Sequence, residues 1–85
     1  METQVRPLHT IATEIIKDWN KTNGNKGIYF GARPYLTAML TLNTINDKYM
    51  FDSAKSIVLY FLCNASTWKG ETARRIKKEL NQLCK

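Results

Sequence analysis

The sequence predicts a small all-α protein, a compact bundle of about four helices with the helix near 53–65 at its centre. Three observations predict it. Apolar residues recur at helical spacing in residues 8–20 and again in 53–65. A third amphipathic stretch closes the chain, and Gly, Asn and Pro cluster between these segments. The 85 residues fill one domain and leave no room for a second core. With 44% hydrophobic and 24% charged residues, the chain is too apolar for a disordered tail and too interrupted by charge for a membrane protein.

The first helix is expected over 8–20. Leu8, Ile11, Ala12, Ile15, Ile16 and Trp19 form one stripe, and Pro7 suits a first turn, where its missing N–H costs nothing. A long loop is expected over 20–33, rich in Asn and Gly that stop a helix and adopt positive φ cheaply. Its second half carries Ile28, Tyr29 and Phe30. These residues either fold back on the core, the first expectation, or form an exposed aromatic patch.

Pro34 opens a second helix over about 34–44, with Leu36, Met39 and Leu40 in helical register. Asp52 and Ser53 are N-cap types for the third helix. There Ala54, Ile57, Val58, Phe61, Leu62 and Ala65 make a stripe, while Leu59, Tyr60 and Cys63 fill the other faces. A helix apolar nearly all round belongs in the interior. The run Ile57–Cys63 also has strand composition, but the cap and the unbroken spacing favour helix. A turn region follows over 64–70, containing Trp68. The last helix is expected over 71–83, with Ala73, Ile76, Leu80 and Leu83 inward and Arg74, Arg75, Lys77 and Lys78 outward.

The catalytic inventory is thin, and the expectation is no enzyme and no cofactor. Two cysteines and a single histidine fall short of a structural zinc set, and Cys63 and Cys84 read as free thiols. His9 has no evident partner for base catalysis and reads as a surface residue. Asp47 and Asp52 flank helix boundaries, where capping accounts for them. Gly24, Gly27 and Gly31 follow no strand and lack the Gly-Lys-Ser/Thr ending of a phosphate-binding loop. The first 16 residues, with Glu2, Arg6 and His9, lack the apolar core of a signal peptide. No apolar run approaches the ~20 residues of a membrane span. A soluble, cytoplasmic protein is expected.

Charge is the strongest functional signal. Thirteen Lys and Arg against seven Asp and Glu give +6, and residues 69–85 hold six basic and two acidic side chains. Such a surplus favours an anionic partner. The candidate binding surface is Trp68, Lys69, Arg74, Arg75, Lys77 and Lys78, an aromatic anchor beside a basic helix. A secondary candidate is Tyr29, Phe30, Arg33 and Tyr35. The 64–70 connection is too long for the usual 3–4-residue turn of a helix-turn-helix.

Several segments together resemble a family of small uncharacterised proteins of bacteriophages and other mobile elements. They are Tyr29-Phe30-Gly31-Ala32, Pro34-Tyr35-Leu36 with Ala38-Met39, Ile45 through Tyr49, Asp52 through Val58, and Asn64 through Arg75. With the first helix, the resemblance spans most of the chain; the segment from Asn20 to Gly27 is longer than the family pattern. The resemblance implies a mobile-element origin in a bacterial cell and no catalytic activity. On that basis the expected role is contact with a host protein, for example inhibition of a defence nuclease such as a CRISPR effector. A small nucleic-acid-binding regulator using the last helix is the alternative, and a structural or assembly protein a third.

Overall fold

The structure, a computed structural model, describes residues 5–23 and 27–85. Glu2, cited for the absence of a signal peptide, lies outside the described residues, as do Gly24, Asn25 and Lys26 of the expected 20–33 loop. The fold is an all-α bundle of four helices: α1 (Leu8–Thr22), α2 (Arg33–Met39), α3 (Ala54–Cys63) and α4 (Glu71–Leu83). A single 3-10 turn (Phe30–Ala32) leads into α2. A minimal antiparallel hairpin, β1 (Lys48–Tyr49) and β2 (Asp52–Ser53), precedes α3.

Leu8, Ile11, Ala12, Ile15 and Trp19 of α1 are all buried, so the stripe faces the core as its spacing requires. Pro7 offers no side-chain cap. The first-turn donors are satisfied from a distance instead: the Leu8 and His9 N–H groups donate to the carbonyls of Asn43 (2.9 Å) and Leu42 (3.0 Å). Those carbonyls are available because α2 stops early. It was expected to reach residue 44 but ends at Met39, where the hydroxyl of Thr41 donates to the Ala38 carbonyl at 2.7 Å. The backbone then tightens through Thr41 N–H to Ala38 and Leu42 N–H to Met39. A β-branched hydroxyl competing for a helical carbonyl unwinds the last turn.

Asp47 holds the segment that follows. Its carboxylate accepts from the Asn43 N–H (2.9 Å), the Thr44 N–H (3.0 Å) and the Thr44 hydroxyl (3.1 Å), and its own carbonyl accepts from the Ala54 N–H (2.8 Å). One residue thus ties the end of α2 to the start of α3. These bonds hold its carboxyl below the usual carboxylate range, the Thr44 N–H contributing most. Ser53 caps α3 as its type predicts, its Oγ accepting from the Ser56 N–H at 3.1 Å.

The aromatic heart lies between α1, α3 and the 64–70 connection. Trp19 stacks on Trp68 with centroids 5.7 Å apart and planes 14° from parallel, and Phe61 meets both rings at 6.3 Å. The connection closes at Gly70, whose φ of +117° and ψ of −178° exclude side-chain-bearing residues at little cost to glycine. The last helix has the expected bounds, with Ala73, Ile76 and Leu80 buried.

The burial of α3 is one-sided rather than all-round. Ala54, Ile57, Val58 and Phe61 of α3 are buried, but Leu59, Tyr60 and Cys63 face outward. The molecule measures 35 × 34 × 18 Å, and 18 Å accommodates two helix layers at most. No helix in so thin a body is enclosed on every side. Strain marks a second place: Met50 has φ +55°, the only positive φ of a non-glycine residue among those described. Two expectations follow for urea unfolding. Phe61→Ala loses about 3–5 kcal/mol while Leu59→Ala loses less than about 1. Met50→Gly gains about 1 kcal/mol by releasing the left-handed backbone.

Candidate partner-binding surfaces

The surface expected to centre on Trp68 is not built that way. Trp68 is 0% exposed. Its indole N–H donates to Asp18 at 2.8 Å and its carbonyl accepts from the Lys77 ammonium at 2.7 Å, with that ammonium 5.8 Å from the ring centroid. A Trp so engaged is core rather than an interface anchor. Lys77 is half-buried, and its pKa is pushed down by burial and then by the nearby charge of Lys69.

Arg75 is committed too. It pairs with Glu14, which also pairs with Arg6 at 2.7 Å, and Arg6 grips Glu79 with both Nε (2.9 Å) and Nη2 (2.7 Å). This chain of charges sews α4 to α1 and to the segment before it. The hydrogen bond from Arg6, with further help from Arg75, holds the Glu14 carboxyl below its ordinary value. Of the six candidates, Lys69, Arg74 and Lys78 remain as exposed cations without an ion pair among the described residues. Lys69, Arg74 and Lys77 line an open cleft of about 370 Å³ beside the start of α4.

The secondary candidate surface is exposed in most of its parts. Tyr29 is 43% and Phe30 76% exposed, and Arg33 is exposed, while Tyr35 is half-buried. The expectation that Ile28, Tyr29 and Phe30 fold back together holds only for Ile28, which is buried. Tyr29 and Phe30 touch each other at 4.9 Å between centroids. With Ile28, Arg33 and Thr67 they line an open cleft of about 740 Å³, and the Arg33 Nε donates to the Ile28 carbonyl at 3.4 Å.

Sequence reasoning missed the residue that extends this patch. Tyr60, 54% exposed on the outer face of α3, stacks on Tyr35 at 5.7 Å and 28°. Asn64, one turn later, donates to the Tyr60 carbonyl and lies beside Gly31. A Cβ on Gly31 would fall 2.5 Å from the Tyr29 ring and 3.0 Å from the Asn64 side chain. Glycine there leaves room for the Tyr29 ring, and this side of the molecule carries two aromatic pairs, Tyr29 with Phe30 and Tyr35 with Tyr60. The available signal was in α3 itself: Leu59, Tyr60 and Cys63 stand off the stripe, and in a thin bundle off-stripe residues face solvent. Met50 and Phe51 were missed as well, because a hairpin turn without Asn or Gly carries no sequence signature.

His9 is exposed and meets the Thr10 hydroxyl at 3.5 Å, with no carboxylate orienting its ring among the described residues. Asp47 is occupied with backbone donors. Cys63 is exposed and Cys84 half-buried, both as free thiols, and burial pushes the Cys84 thiol up. Among the described residues no three His, Cys, Asp or Glu side chains gather as a metal set, and no helix is long and apolar enough to cross a membrane.

The ion-pair chain has a pH signature. A carboxyl held below its ordinary value of 4.5 contributes stability that is full above that value. The contribution is lost as pH falls toward the lowered value. Stability of the natural chain therefore drops on acidification below about pH 4.5, and Glu14→Gln is less stable near neutrality but has a shallower acid slope. Thermal melts from pH 7 to 3 check this. Compared with known proteins, the chain matches no family model, no curated protein and no solved structure.

Proposed function

We propose that this is a non-enzymatic binding protein that docks on another protein through the surface carrying the aromatic pairs Phe30–Tyr29 and Tyr60–Tyr35. One observation carries the reading. Tyr29, Phe30 and Tyr60 are left in solvent, the first two touching each other and lining a cleft with Arg33, while 20 apolar residues among those described are buried. Contiguous exposed apolar surface marks interaction sites, and Tyr, Phe and Arg are the residue types of interface cores. The net charge of +6 selects a partner with an acidic surface and speeds the encounter. The resemblance to small phage proteins makes a host protein in the bacterial cytoplasm the partner class, a defence nuclease among its members.

A second reading has its own observation. Lys69, Arg74 and Lys77 share a cleft in which no acidic side chain takes part, which suits the phosphates of a nucleic acid. The two readings separate in one experiment. The purified protein is used to recover partners from lysate of its source with and without nuclease, and affinity for the recovered partner is then measured against salt. Protein docking predicts nuclease-resistant recovery, weakened at least tenfold by Phe30→Ser, about 1.4 kcal/mol or more. Arg74→Glu with Lys78→Glu then acts mainly on the association rate. Nuclease-sensitive recovery, with affinity falling by orders of magnitude between low and moderate salt, overturns the protein reading in favour of nucleic acid.

A further inference from the structure

We infer that Arg33 receives a single carboxylate, an Asp or Glu in a peptide segment that the partner protein lays in the groove beside α1 and α2. This rests on the protein-binding reading above and names the chemistry that one part of its surface takes. Two open clefts share Ile28 and Arg33. One, of about 740 Å³, runs past Tyr29 and Phe30 to Thr67. The other, of about 260 Å³, is lined by Ile16 and Asn20 of α1 and Leu36 of α2. Arg33 therefore stands with aromatic walls on one side and aliphatic ones on the other.

The occupant follows from charge. Between Gly27 and Asn46 the sequence holds one charged residue, Arg33. It is the only charged side chain among the described residues lining either cleft. It is exposed, and among the described residues it pairs with no carboxylate. Residues 24–26 are Gly, Asn and Lys, which add no acid. Asp18 of α1 lines neither cleft, and its carboxylate is taken by the Trp68 indole. The guanidinium is also preset. The Arg33 backbone N–H donates to the Phe30 carbonyl and its Nε to the Ile28 carbonyl at 3.4 Å, leaving both Nη atoms without an acceptor among the described residues. Beside Nη2 lies Gly27, where a Cβ would sit 3.7 Å away, so no side chain covers that edge. A planar fork with two unused Nη donors matches a carboxylate in bidentate fashion. The neutral walls decide between polymers. A nucleic-acid strand carries a charge at every nucleotide and calls for a row of cations, where these clefts hold one. A peptide offers one carboxylate between apolar side chains, which suit the Phe30 and Leu36 sides.

The test pans a displayed library of random peptides against the purified full chain, and the selected peptides are then measured in solution by fluorescence anisotropy. The expected peptides share an Asp or Glu flanked by apolar residues. Exchanging that residue for Asn or Gln weakens binding roughly tenfold or more, and Arg33→Gln weakens it by the same factor. The two changes together weaken it no more than either alone, the sign of a direct pair. Arg33→Lys keeps the charge but loses the fork, and retains only part of the affinity. Because Arg33 is exposed, both variants keep the natural midpoint in urea. Selected peptides without a shared acid, additive losses, or no selected peptide at all overturn the inference. So does a thymidine oligonucleotide that displaces the peptide at lower concentration, or a dimer of the natural chain that Arg33→Gln dissociates. The protein-binding reading is judged apart from this. A partner recovered in a Phe30-dependent manner, with affinity indifferent to Arg33→Gln, removes the carboxylate receptor and leaves that reading standing. A recovered partner indifferent to Phe30→Ser removes the reading itself.

Discussion

The fold turns on how Trp68 is held. Its ring stacks on Trp19 from α1 and abuts Phe61 from α3, its N–H is taken by Asp18, and its carbonyl by Lys77 from α4. Three helices therefore converge on a residue that belongs to none of them. A tryptophan buries more apolar area than any other side chain, and a buried indole N–H without a partner is expensive. Asp18 removes that cost for Trp68; Trp19, fully buried, has an N–H with no partner among the described residues. The connection from α3 to α4 is irregular because it must deliver this ring to the centre, and Gly70 restores the direction of the chain for α4.

That placement redistributes the surface charges. Lys77 is drawn inward to the Trp68 carbonyl, and Arg75 is drawn sideways to Glu14, so two of the four cations in the run 74–78 serve the fold. Exposed ion pairs of this kind each contribute little, about 0–1 kcal/mol. As a connected chain of Arg6, Glu14, Arg75 and Glu79, they fix the register of α4 against α1. What remains outward is a sparse set, Lys69, Arg74 and Lys78, better described as a field than as a site.

The helical stripes of α1 and α4 were legible because one-sided periodicity has a single physical meaning: both helices bury the residues it names except Ile16 and Leu83, which are half-buried. The Ser53 cap was legible for the same local reason. Three features were not. The end of α2 depends on a Thr41 hydroxyl competing for one carbonyl and on α1 needing the carbonyls of Leu42 and Asn43, a contact more than 30 positions away in sequence. The hairpin at 48–53 is two residues per strand, below any periodic signal. Trp68 looked like an anchor because it stands beside lysines in a turn. Its partner Asp18 lies 50 residues earlier, where spacing says nothing about a hydrogen bond. The secondary patch was legible as a candidate from its aromatic content, yet its continuation to Tyr60 needed the third dimension.

The exposed aromatics follow from size as much as from sequence. A body 18 Å thick has room for one interior plane, and α3 is apolar on more faces than that plane can cover. A chain of this length has two ways to hide the surplus: associate with itself, or leave it for a partner. Self-association would place +6 against +6 across a small interface, where apolar contact must overcome the repulsion. An acidic partner, as proposed above, would reverse the sign of that same term. In the proposed docking, the surplus of lysine and arginine and the surplus of exposed aromatic surface would act together, the field setting the encounter and the rings setting the lifetime of the complex.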